Sequence, residues 1–99
     1  MRSFTFTAPA WVSDGDDGPV WWFLTVPPDE SDDLYELPLV KGGFGSIKVN
    51  VQVGETKWST SVFPSDKLKG YMLPLKAAVR KAENITEGSP VRVTLTPVG

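Results

Sequence analysis

Two alternating runs meet at Gly54–Glu55, and they constrain this chain more than any other feature does. In the first run, Ile47, Val49, Val51 and Val53 alternate with Lys48, Asn50 and Gln52. Period two marks a strand with one buried and one wet face. Gly at the first central position of a two-residue loop suits a type II′ turn, and a loop of that length fixes the register. Val53 then faces Thr56, Val51 faces Trp58, Val49 faces Thr60 and Ile47 faces Val62. The opposite face pairs Gln52 with Lys57, Asn50 with Ser59 and Lys48 with Ser61, all polar. Turn chemistry and hydrophobic pattern reach the same pairing independently, so the segment is expected to be a hairpin with one apolar side.

The rest of the chain reads as more strands with little helix. Phe4, Phe6 and Ala8 alternate with Ser3, Thr5 and Thr7 until Pro9. Val91, Val93 and Leu95 alternate with Arg92, Thr94 and Thr96 until Pro97. Val20–Val26 is apolar on both faces, so that strand is expected to be covered on both sides, with Trp21, Trp22 and Phe23 in the core. Tyr71–Leu73 is a short extended piece, because the residue before a proline avoids helix. Pro64–Gly70 reads as a loop. Asp29–Leu37 reads as a short helix whose acids crowd the first turn, with Leu34 and Leu37 covering the Trp-rich strand. A second helix is expected from Pro74, with Leu75, Ala78, Val79 and Ala82 on its buried face. Asn84 in a left-handed conformation and Ile85 packing back would end it in a Schellman motif. The fold class is therefore mainly β. It is a small closed or half-open barrel of five to seven strands with two short helices, one domain over residues 1–99, because a short all-β chain must close or cover its edges.

Composition removes several chemistries. The chain has no cysteine and no histidine, so disulfides, thiolate sites, cysteine nucleophiles and histidine general bases are absent. No apolar run approaches the ~18 residues of a membrane span, and no leader opens the chain, so a cytoplasmic location is expected. Charge is unevenly placed. Residues 1–40 hold eight acids and one base, whereas residues 41–99 hold nine bases and four acids. Neutralisation between the two halves within one globule is the simpler reading; a basic face for an anionic partner is the other.

The second half of the chain has a family look. Gly43–Val49, Trp58–Pro64, Gly70–Ala82 and then Gly88 with Val91–Leu95 occur in order, and Phe4–Ala8 with Trp22–Pro27 fit the start. This pattern resembles the bacterial domain-of-unknown-function family nineteen-oh-five. The resemblance implies a small β-barrel, in some members fused to a helical bacteriocin-protection-like domain, for which this chain has no room. It implies no reaction and hence no catalytic residue. Within it, Leu73–Val93 is similar to the strand, proline, helix, turn and strand of swapped-hairpin DNA-binding regulators, which suggests a related layout.

Few side chains suggest a site. Asp14–Gly18 lacks the Gly and Glu of an EF-hand loop and reads as a solvated turn. Gly42, Gly43 and Gly45 precede no helix and read as a bent strand entry, not a phosphate cradle. Asn84-Ile85-Thr86 fits a glycosylation acceptor without an export signal, and no pair of carboxylates stands out for hydrolysis. Lys76 and Arg80, one turn apart, could hold an anion, although ordinary solvated helix residues are the simpler reading. The candidate ligand-binding set is Trp58, Tyr71, Lys76 and Arg80 lining a groove, with Ser59 and Ser61 nearby. No cofactor or metal is implied. The expected function is a non-enzymatic module that binds a small ligand or a partner protein. The alternative is weak nucleic-acid binding through the basic C-terminal part or a stacking surface of Trp21, Trp22 and Phe23. An enzyme using lysine or carboxylate chemistry is a third reading, and it would need a deep pocket around such a buried group.

Overall fold

The computed structural model describes residues 3–13, 20–37, 45–65 and 70–98. Among them lie seven strands and two helices: β1 (Phe4–Pro9), β2 (Trp11–Ser13), β3 (Trp21–Thr25), α1 (Pro28–Glu36), β4 (Ile47–Val53), β5 (Thr56–Ser65), β6 (Gly70–Pro74), α2 (Ala77–Ala82) and β7 (Pro90–Pro97). The strands form one antiparallel sheet in the order β1-β7-β4-β5-β6-β3-β2. β5 changes partner along its length: Thr56–Val62 pairs with β4, and Phe63–Ser65 pairs with β6. The edge strands β1 and β2 are consecutive in sequence, separated by Ala10 alone. The Ala10 N–H donates to Ser89 O at 3.0 Å and its carbonyl accepts from Gly88 at 2.8 Å, which pins that bend. Strands that pass from one partner to another at a bend turn the corners of a sheet. Two such corners curl this one into a half-barrel.

The β4–β5 register is the one expected, from Val53 opposite Thr56 to Ile47 opposite Val62. Gly54 has a φ of 57°, while Glu55 is not among the positive-φ residues, as a type II′ turn requires. The concave face carries the core: Phe4, Phe6, Val49, Val93, Leu95, Leu24 and Leu73 are all buried. The convex face of β1, β7, β4 and β5 is polar. Ser3 and Thr96 hydroxyls lie 2.8 Å apart, Thr5 and Thr94 hydroxyls 3.0 Å apart, and Ser59 donates to Asn50 Oδ1 at 2.7 Å.

α1 starts with Pro28 at its first turn and has Asp29 and Glu30 beside it, where the missing proline N–H and the helix dipole are both accommodated. Leu34 is buried as expected, whereas Leu37 is only half-buried at the rim of the core. The helix is held by Ser31, a buried hydroxyl that accepts from the Tyr71 N–H at 3.1 Å and donates to Val26 O at 3.0 Å.

The second helix is shorter than its apolar pattern predicts. Pro74 belongs to β6, and the Leu75 N–H donates to Trp22 O at 2.8 Å, extending the sheet by one bond before the helix opens. Sheet pairing wins over helix at these two residues. Of the expected apolar stripe, Leu75 and Val79 are buried, but Ala78 and Ala82 are exposed. The end is as expected: Asn84 has a φ of 52°, Ile85 is buried, and the Ile85 N–H reaches Arg80 O at 2.9 Å, the long bond of a Schellman motif.

Three further expectations need correction. β3 is not covered on both sides: Leu24 is fully buried, but Trp21 is 57% exposed and Trp22 and Phe23 are half-buried. Pro64, Ser65 and Gly70 lie in strands, not in a loop. β2 goes unforeseen, because three residues are too few to show a period. The readings placed on Asp14–Gly18, on Gly42 and Gly43 and on the middle of Pro64–Gly70 lie outside the described residues.

Candidate ligand-binding groove

The alternation that buries Leu24 against Leu73 sends their neighbours to the convex side. Phe23 pairs with Pro74, and Met72 pairs with both Thr25 and Phe63. Trp11, opposite Phe23, stacks on it with ring centroids 5.0 Å apart, and its indole N–H donates to Thr25 Oγ1 at 2.8 Å. This end of the sheet is thus apolar on the outside as well as the inside. Trp21, Phe23, Phe63, Met72 and Pro74 line a groove of about 440 Å³, joined by Thr60 and Lys76. Trp21 and Phe63, at 57% and 41% exposure, form its open walls. Lys76 supplies the positive charge among its lining residues.

The groove opens where β5 parts from β6. Their pairing covers only Phe63–Ser65 of β5, so Thr56–Ser61 has no strand partner on that side among the described residues. The residues that cap α2 reach this stretch: Lys76, its N-cap, lines the groove with Thr60, and Glu83, its C-cap, accepts a hydrogen bond from the Thr56 hydroxyl at 2.5 Å. Between these two rungs stand Arg80 on the helix and Trp58 on the strand. Arg80 is not a solvated surface residue: its guanidinium lies over the Trp22 ring at 4.6 Å. The Nε of Arg80 and the Nε1 of Trp58 are both buried and both without an acceptor.

The six residues singled out from sequence therefore divide. Lys76 lines the groove, Arg80 lies over the Trp22 ring, and Trp58 stands on β5 between Thr56 and Thr60, packed against the core. Ser59 and Ser61 face the opposite, convex side beside Lys48, Asn50 and Val98. Tyr71 is elsewhere, in a depression of about 430 Å³ under α1 with Ser31, Tyr35 and Ser65. Of the groove residues missed by sequence, which also include Thr60 and Pro74, Phe63 and Met72 gave one signal: each adjoins a buried apolar residue, Val62 or Leu73, so its strand is apolar on both faces at that point.

Burial, and secondarily Tyr35 nearby, raise the Tyr71 phenol above its ordinary value of 10.0. The folded state holds this proton more tightly than the unfolded chain. Its contribution to stability is complete below pH ~10 and is lost as pH rises through the higher folded value. Urea unfolding across this alkaline range should show stability falling, and Tyr71→Phe should flatten that fall; an unchanged slope would contradict it.

Among the described residues no three acidic side chains converge as a metal ion would require. No described helix is long and apolar enough to cross a membrane. The family described as Domain of unknown function (DUF1905) matches residues 6–95. The chain belongs to that family. No curated protein matches it. The family match carries no reaction, so in this member function must be read from the groove and the seam beside it.

Proposed function

We propose that this domain binds a small apolar ligand in the groove of Trp21, Phe23, Phe63, Met72 and Pro74. The observation that carries the reading is an apolar concavity of about 440 Å³ on a convex sheet face. Ligand sites of this size are lined by aromatic and aliphatic groups with a few polar groups at fixed places, and Thr60 and Lys76 fill that role here. Large aromatics kept half in water cost solubility, and they are understandable where a ligand covers them.

The test uses the two methionines, of which Met72 lies in the groove. With methionine methyls labelled, decanol should move the Met72 resonance in a saturable way. Trp21→Ser and Phe63→Ser each remove an exposed wall and should weaken binding about tenfold, equivalent to ~1.4 kcal/mol. A Met72 methyl that stays still through the titration would overturn the reading.

Exposed Trp21 and Phe63 beside a lysine also give the nucleic-acid reading its best support, since bases stack on such rings. A strand of phosphates needs a track of cations, however, and only Lys76 among the groove residues is basic. Oligonucleotides are expected to leave the Met72 methyl unmoved at low salt.

A further inference from the structure

We infer that the ligand is a monocarboxylate, whose apolar body fills the groove and whose carboxylate seats between α2 and β5, accepting hydrogen bonds from Trp58 Nε1 and Arg80 Nε. This rests on the groove reading and adds the chemical class of the ligand.

Two rungs locate the seat. Lys76 and Thr60 both line the groove, and Glu83 and Thr56 meet by a hydrogen bond at the far end. On β5, Thr56, Trp58 and Thr60 share one face, because they oppose Val53, Val51 and Val49 in turn. On the helix side, Arg80 lies one turn beyond Lys76, whose carbonyl accepts the Arg80 N–H at 3.0 Å. The middle rung therefore sets Arg80 against Trp58, one step in from the groove. Its two orphan atoms are of one kind. Indole and guanidinium N–H groups donate and never accept, so neither can satisfy the other. Buried donors in folded proteins nearly always have an acceptor, and both of these atoms lack one.

Charge selects the acceptor. The Arg80 guanidinium is held in place over the Trp22 ring. Lys76 adds a second cation at the groove end. The acid of the seam, Glu83, is engaged at the far rung by Thr56 and lies against Gly54. An anionic oxygen pair between Trp58 and Arg80 would answer both donors with charge-assisted bonds. The groove admits an apolar chain on one side of that point, which makes an amphipathic carboxylate the fitting class.

The experiment compares decanoate with decanol on protein labelled at the tryptophan indole nitrogens and methionine methyls. Decanoate should bind at least tenfold more tightly, moving both the Met72 methyl and the Trp58 indole cross-peak, the latter downfield. Decanol should move Met72 alone. Arg80→Met, which keeps the stem over Trp22, should erase the advantage of decanoate. Trp58→Phe, which keeps a ring on β5, should reduce it and serves as the second variant if Arg80→Met does not fold. Equal affinities with a still Trp58 signal, as a resident water on both donors would give, overturn the carboxylate seat and leave the groove standing. Movement of Trp58 without Met72 keeps the seat and overturns the groove. Two silent signals overturn both.

Discussion

Leu24→Ala is expected to destabilise the protein by about 2–5 kcal/mol. Leu24 is fully buried near the end of β3 and faces Leu73, which is also fully buried. Truncation removes the transfer energy of the side chain and leaves a void, because β3 is hydrogen-bonded on both sides and cannot collapse into it. A chain of 99 residues has total stability of about 5–15 kcal/mol, so the loss is a large fraction of the whole. Urea unfolding should show the midpoint fall with little change in slope, and thermal unfolding should drop by roughly 4–8 °C for each kcal/mol. The functional consequence follows from alternation. Phe23 and Thr25, which flank Leu24, face the other way, Phe23 into the groove and Thr25 to the Trp11 indole. Loosening the inner face should therefore also weaken decanol binding, by less than Trp21→Ser does. A loss of stability under about 1 kcal/mol, well below the usual cost of such a truncation, would mean that Leu24 is not enclosed as described.

The hairpin from Ile47 to Val62 was legible because its information is local: a glycine turn of fixed length and a period of two specify one pairing. The same holds for the end of α2, where Asn84 and Ile85 declare a Schellman motif within a few residues. Legibility fails where a long-range choice decides. Val20–Val26 is apolar on both faces, and nothing local says which face turns inward. That is settled by Leu24 meeting Leu73 from the far side of the chain. The start of α2 fails for a similar reason, since the Leu75 N–H is claimed by the carbonyl of Trp22, a residue the helical pattern does not contain. Grouping Ser59 and Ser61 with Trp58 conflicted with the hairpin's own alternation, which already placed them on opposite faces. Lys76 and Arg80 were legible as a pair one turn apart. That Arg80 folds in over the Trp22 ring while Lys76 stays exposed at the groove is a long-range outcome that the helical pattern does not contain.

Gly70→Ala and Ser31→Ala made together are expected to cost much less than the sum of their separate costs. A Cβ built on Gly70 meets the Ser31 Oγ at 2.8 Å, with Val26 O at 3.4 Å. Ser31 cannot step aside cheaply, because its hydroxyl is tied to Val26 O and to the Tyr71 N–H in a buried place. Gly70→Ala should thus push α1 off the sheet or break those bonds, leaving a buried carbonyl and a buried N–H unsatisfied, at a cost of about 2–4 kcal/mol. Ser31→Ala forfeits the same bonds without the clash and should cost about 1–3 kcal/mol. In the double variant the Oγ that a methyl at position 70 would strike is gone. That methyl then occupies the space the oxygen left, so the pair should cost little more than Ser31→Ala alone. The coupling should exceed about 1 kcal/mol, outside the few tenths expected of independent sites. Urea unfolding of the four proteins measures it. Additive losses would show that α1 does not depend on a glycine at position 70 to reach the sheet.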